Sequence, residues 1–350
     1  MRHIFLPLFA VMTILLASCQ KEIKELMKPQ ASGTPYDLYL VMNQDMRGTA
    51  LHDTLLSVFE YPMANMPSSD SYFRVRHLTP EHFSSPIIRT VANVVMIDIA
   101  SDNSEMPVMT LEHNLYAQHQ LIMRMHAKST SSLAEYLSQL QEQLRDVFVR
   151  NEINRRIEML QEGHQTRQQE RLMAMQDVSM LLPPSMAYDC HAAQDPPHFF
   201  WATDGYEEKT SYIVVYSIPY TDDRIFSLEG ALSIRDSIMG ANITAGEGEF
   251  VARMTTRREI VVPQYRALAA RGHYIGELTG MWRIPGQLMA GPFICHIRLD
   301  ELNQRVVFAE GFCYAPKVQD KRLMMRNLEA TLYTLRLPSD NVLQEIEVTL

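Results

Sequence analysis

Asp189-Cys190-His191 is the run that sets a nucleophile directly beside a base. A cysteine attacks as its thiolate, so it needs an imidazole or another cation within hydrogen-bond reach. Adjacent residues on a strand point to opposite faces, so Cys190 and His191 meet only where the backbone is irregular. The run therefore reads as structural. His113 and His119 match neither the i, i+4 pairing of helical zinc sites nor short-range strand alternation. His77 and His82 flank Pro80 with Glu81 as their nearest carboxylate, and neither a metal nor a cofactor is expected. Gly240, Gly246 and Gly248 lack the spacing of a phosphate-binding loop and read as turn residues, and no nucleophile elbow of the hydrolase type is present. In Arg235-Asp236-Ser237, helical neighbours fan outward, so Asp236 does not poise Ser237, and a salt bridge is the expected role. No catalytic residue is assigned. A candidate ligand-binding set remains: Trp201, at the end of Phe199-Phe200-Trp201, with Arg235, Asp236, Trp282 and Arg326. Gathered at one cleft, these would line a groove for a carbohydrate or an apolar ligand. Buried ion pairs and core aromatics account for the same residues equally well.

The N-terminus speaks to location. Arg2 precedes an apolar run from Ile4 to Leu16 that only Pro7 and Thr13 interrupt, followed by the small residues Ala17 and Ser18. That is the layout of a secretory signal, and the run is shorter than the roughly 20 apolar residues of a membrane span. Leu16-Ala17-Ser18-Cys19 resembles the lipobox of bacterial lipoproteins. The resemblance implies cleavage before Cys19, a diacylglyceryl group on its thiol and a further acyl chain, such as palmitate, on the new amine. Two or more chains make the anchor durable where one is marginal. Gln20-Lys21-Glu22 is similar to the export tag of surface-exposed Bacteroidota lipoproteins, although Ile23 and Lys24 interrupt the acidic run. The expected location is the outer membrane, lipid-anchored and facing the cell surface, with the periplasmic face as the alternative.

Acidic residues outnumber basic ones by 41 to 32, a formal charge of −9. Without a basic stripe, nucleic acid is excluded as an expected partner. An acidic protein on an anionic membrane must be held by its lipid. The hydrophobic fraction of 46% fills a real core, and the 23 methionines, spread along the chain, read as packing residues. Beyond Cys19, the remaining cysteines are Cys190, Cys295 and Cys313. An oxidising compartment permits a disulfide between Cys295 and Cys313, but the hairpin register that would decide it is open.

Four segments are expected: a signal at 1–18, a charged and then Ser/Gly/Pro-bearing tether at 19–35, an N-terminal α+β region at 36–182, and a strand-rich α+β region at 183–350. Pro183-Pro184 marks the boundary between the last two. In the first region strands are expected at 36–43, 72–78, 91–100, 108–111 and 120–126, with a helix at 49–59 capped by Thr49. Ser132-Leu133-Ala134-Glu135 fits a capping box, and the stripe Leu133, Leu137, Leu140, Leu144, Val147 predicts one long helix to Glu162, stopped by Gly163. A second helical piece covers 168–178. The later region predicts strands at 186–190, 198–202, 211–217, 259–265, 272–282, 292–299 and 305–314. Helices near 227–238 and after Asp320 complete it, the latter with the stripe Met325, Leu328, Leu332, Leu335. Neighbouring strands joined by short turns argue for an α+β fold, mostly antiparallel sheets with helices packed on one face.

Ile218-Pro219-Tyr220, Arg235-Asp236-Ser237, Met281-Trp282, Met289-Ala290-Gly291-Pro292-Phe293, Glu310-Gly311-Phe312-Cys313-Tyr314-Ala315-Pro316 and Lys321-Arg322 with Arg326 resemble a Bacteroidota lipoprotein family of domain of unknown function 4837. The likeness is read as running from Tyr36 to Leu337. Departures at Ala290 and Thr279-Gly280 put a tight backbone approach there in question. The resemblance implies lipidation and clade but no activity. The expected function is a lipid-anchored envelope lipoprotein that acts as a non-catalytic binding or assembly component, its partner the membrane through the lipid and an envelope protein or glycan. The alternative is a lipid-anchored hydrolase with a site assembled from distant residues.

Overall fold

Leu38-Tyr39-Leu40-Val41 is an apolar run too continuous for a strand with one wet face, and it lies at the heart of a parallel arrangement. The computed structural model that shows this describes residues 28–63, 66, 70–190, 198–205, 207–270 and 272–340. Cys19, the expected 1–18 signal, residues 19–27 of the expected tether and His191 lie outside the described residues. No described helix is long and apolar enough to cross a membrane. The chain divides into two compact units, Met1–Tyr61 with Ser71–Glu152, and Pro62–Asp70 with Ile153–Leu350.

The first unit holds a five-stranded sheet in the order β2-β1-β3-β5-β4, built from β1 (Asp37–Val41), β2 (Arg74–Leu78), β3 (Asn93–Ile99), β4 (Val108–His113) and β5 (Leu121–Ala127). β1 runs parallel to β2 and β3, and β3 parallel to β5; only β4 is antiparallel. This sheet departs from the antiparallel expectation, which holds for the chain as a whole. The reason is the crossover helix Ala50–Phe59 between β1 and β2, whose Thr49 side chain accepts the His52 N–H. Phe59, Phe73 and Phe148 meet edge to face in its core, with centroids 5.5–6.3 Å apart. The long mid-chain helix is present at Gln141–Glu162, but a separate helix, Thr130–Ser138, precedes it. Ser129, not Ser132, is the N-cap, and it takes the Ser132 N–H itself. The break follows from i→i+3 bonds at Gln139 and Leu140, which tighten the last turn.

The division between units falls at Glu152/Ile153, earlier than Pro183-Pro184. The helix Thr166–Gln176 explains the shift, since its Leu172 packs into the core of the second unit. That core surrounds an eight-stranded antiparallel sheet in the order β11-β13-β14-β15-β8-β7-β6, with β12 also on β13. Its strands are β6 (Tyr188–Asp189), β7 (Phe199–Thr203), β8 (Thr210–Pro219), β11 (Thr255–Arg257), β12 (Gln264–Ala270), β13 (His273–Ile284), β14 (Met289–Asp300) and β15 (Arg305–Tyr314), while β9 (Thr244–Ala245) and β10 (Ala252–Arg253) pair separately. The segment expected as one strand at 259–265 is a loop that opens into β12.

Helices cover both faces of this sheet, not one. On one side Ile213, Val215, Ile294, Val307, Ala309 and Cys313 meet Leu172 and the closing helix Arg322–Leu332 through Met325, Leu328 and Leu332. On the other Val214, Tyr216, Phe293, Cys295, Phe308 and Phe312 meet Ala231, Leu232 and Met239 of the helix Leu228–Asn242. Strands apolar at successive positions have two faces to bury, so a single layer of helices would leave one wet. Cys295 and Cys313 therefore point to opposite sides of the sheet, and both are free thiols. The close backbone approach in question near Ala290 occurs one residue on. A Cβ on Gly291 would stand 2.0 Å from the Cys313 carbonyl, the oxygen to which Trp282 Nε1 donates at 3.2 Å.

Candidate functional site

The sheet of the second unit separates the expected ligand set. Trp201, Arg235, Asp236 and Trp282 lie on the side of the helix Leu228–Asn242; Arg326 belongs to the closing helix on the other, bonded to Glu329 at 2.5 Å. Arg235 is wholly buried. Its Nε and Nη2 donate to Glu310 at 2.8 and 2.6 Å, its Nη1 donates to Thr256 and Asp236, and its plane lies 3.7 Å over the Phe293 ring. Burial alone would push the guanidinium toward neutrality, but the charge and hydrogen bonds of Glu310 outweigh it and hold Arg235 ionised. Asp236 accepts from the Thr256 N–H at 2.8 Å and tethers β11 to the helix. Trp282 packs edge-on against Phe312 at 5.6 Å. Trp201 is half-buried between Phe199 and Tyr212. These four form a core cluster with an internal charge pair, not an open groove.

Cys190 sits beside Arg171, yet burial pushes its thiol up to about 12, so it stays protonated at neutral pH. Among the described residues no three His, Cys, Asp or Glu side chains converge as metal ligands. His77 instead meets His52, with Nε2 to Nε2 at 2.8 Å. That pairing crosses a parallel strand and a crossover helix, and no spacing rule in the sequence announces it.

The open site lies elsewhere. A cleft of about 750 Å³ forms at one end of the sheet, where His273 and Tyr274 begin β13 and Arg298 and Leu299 end β14. Asp223 and Phe226 reach it from the turn before the helix Leu228–Asn242, Glu301 and Leu302 from the β14–β15 hairpin, and Asp340 from beyond the closing helix. Its size falls within the ~300–1,000 Å³ of small-molecule sites. Arg298 donates to both Asp340 oxygens at 2.9 and 2.7 Å and to the Leu335 carbonyl at 3.2 Å. Burial opposes the charge on Asp340, but Arg298, the Leu337 N–H and nearby His273 outweigh it and keep the carboxyl below its ordinary range. The pair is thus a fixed, internally neutralised floor. Above it Phe226 and Tyr274 meet edge to face at 5.6 Å, and Tyr274 is 47% exposed. His273 lies 3.6 Å from Asp340, too far for a hydrogen bond, and among the described residues its ring has no other polar partner. The sequence hid this site because its walls come from separate segments spread between Asp223 and Asp340, none carrying a recognisable motif.

Residues 165–334 match the family model described as domain of unknown function 4837. That match lies within the second unit. Residues 31–161 match a different model, domain of unknown function 8532. The likeness read from Tyr36 to Leu337 is corrected accordingly, since the residues before 162 belong to the second match. No curated protein matches the chain. Most of the cleft falls inside the domain 4837 match; Ser339 and Asp340 stand just beyond its last residue.

Proposed function

We propose that this chain is a lipid-anchored lipoprotein of a Bacteroidota-type outer membrane, surface-facing, whose domain 4837 unit works as a binding or assembly component through the cleft at the His273 end of the sheet. The cleft carries the reading: it is roomy, walled by exposed aromatic and carboxylate side chains, and floored by a salt bridge that leaves no loose charge. The lipobox Leu16-Ala17-Ser18-Cys19 supports the anchor. In the native host, Cys19→Ser is expected to abolish labelled-palmitate uptake and to move the protein from the membrane pellet to the soluble envelope fraction. Unchanged pelleting at processed size would overturn the anchor.

One observation favours the hydrolase alternative. His273 stands beside Asp340 in the cleft, and Ser339 lines the same wall. Turnover of model ester, glycan or peptide substrates that His273→Ala abolishes would replace the binding reading. Ligand retention without turnover sustains it.

A further inference from the structure

We infer that this cleft is a saccharide site that prefers neutral or amino sugars to acidic ones. The inference rests on the cleft being the protein's binding site. A pyranose offers two kinds of surface, an apolar face of C–H groups and a rim of hydroxyls that each donate and accept. The cleft supplies complements to both. Tyr274, braced edge-on by Phe226 and held by a 2.9 Å bond from its hydroxyl to Tyr265, presents a fixed exposed ring on which such a face can lie. Leu302, 59% exposed, adds an apolar shoulder from the hairpin.

The rim finds partners of both senses. Asp223 and Glu301 are exposed acceptors; Asp223 uses one oxygen on the Tyr220 hydroxyl at 2.8 Å and has a second to offer. The His273 imidazole, 20% exposed, donates from one nitrogen and accepts at the other in its neutral form. A purely apolar ligand would leave these groups desolvated and unpaired, at a cost that disfavours it. Charge sets the selectivity. Arg298 is consumed by Asp340, so among the described residues lining the cleft the uncompensated charge is that of Asp223 and Glu301. A uronate carboxylate would meet like charge there, while a hydroxyl or an ammonium would not.

The test is calorimetric titration of the detergent-solubilised full-length protein with four probes: a neutral tetrasaccharide of N-acetylglucosamine, its deacetylated amino form, a tetragalacturonate, and a lysine-rich tetrapeptide. The neutral and amino sugars are expected to bind, the uronate at least about tenfold more weakly. Tyr274→Ala should weaken the sugars about tenfold or more, a loss of about 1.4 kcal/mol, while Tyr274→Phe retains them and both variants keep the wild-type unfolding midpoint. Asp223→Asn with Glu301→Gln should remove the discrimination against the uronate. Equal or tighter uronate binding by the wild-type protein overturns the inference. Binding of the peptide alone, lost in Tyr274→Ala, overturns the saccharide assignment but leaves the binding reading standing. No heat from any probe, together with turnover that His273→Ala abolishes, removes both.

Discussion

Arg235→Met is expected to destabilise the second unit by about 3–5 kcal/mol, because it strands the Glu310 carboxylate in a core with no water to solvate it. Both side chains are 0% exposed, and among the described residues their two hydrogen bonds are the only neutralisation Glu310 has from a guanidinium. The change also removes the cation from above Phe293 and a donor from Thr256. Urea unfolding followed by the fluorescence of buried Trp282 reads the effect as a lower midpoint. The paired change Arg235→Met with Glu310→Leu should recover most of the loss, since replacing a buried ion pair by apolar residues of similar volume is often neutral or better. A single variant within about 1 kcal/mol of the parent would overturn this prediction; burial, which already pushes the Glu310 carboxyl up, would then have it take a proton once Arg235 is gone.

Acid should act through a different carboxylate. Glu277 on β13 is 1% exposed and is bonded by Arg266 at 2.5 Å and by His296 at 3.2 Å. Burial pushes its carboxyl up, but those two partners outweigh burial and hold it down at about 2, from an ordinary 4.5. A folded-state value below the unfolded one means the unfolded chain binds the proton more readily. Stability from this group is therefore complete above about pH 4.5 and drains away as pH falls toward 2, on the order of 3 kcal/mol in all. Unfolding free energies across that window should fall with acid in the parent, and Glu277→Gln should flatten the slope from a lower starting stability. An unchanged slope in the variant would assign the acid sensitivity to other carboxylates.

Much of the secondary structure was legible, and the reasons are specific. Thr49 before Leu51, Leu55, Val58 and Phe59 announces both the helix and its cap, and Gly163 marks where the long helix stops. Asp320, expected as the cap of the closing helix, stands one residue before the N-cap Lys321 and accepts the Arg322 N–H at 3.0 Å. What failed was non-local. The box Ser132-Glu135 is a sound local pattern, but Ser129 takes the Ser132 N–H that the box would leave to the Glu135 side chain. Parallel pairing of β1 with β2 and β3 leaves no mark within any single strand beyond its apolar continuity. The five-residue ligand set mixed side chains from both faces of one sheet, because alternation tells which residues share a face only once strand order is known. The His273–Asp340 end of the sheet needed three dimensions for the same reason.

Strand order has a consequence for how the molecule is made. β13, β14 and β15 follow one another through tight hairpins, so they zip up from local contacts as soon as they exist. β8 has such a neighbour on one edge only, the preceding β7, and its other edge must wait. Its partner β15 pairs Arg305 with Pro219 and Tyr314 with Thr210, so the Tyr212-Ile213-Val214-Val215-Tyr216 segment is synthesised long before the strand that will flank it. Until then it is an uncharged, β-prone stretch with an open edge, the kind of segment that self-associates or is shielded by a chaperone. The nascent chain is therefore most exposed to misassembly in the interval between β8 and β15, and a ribosome stalled there would hold its most aggregation-prone form.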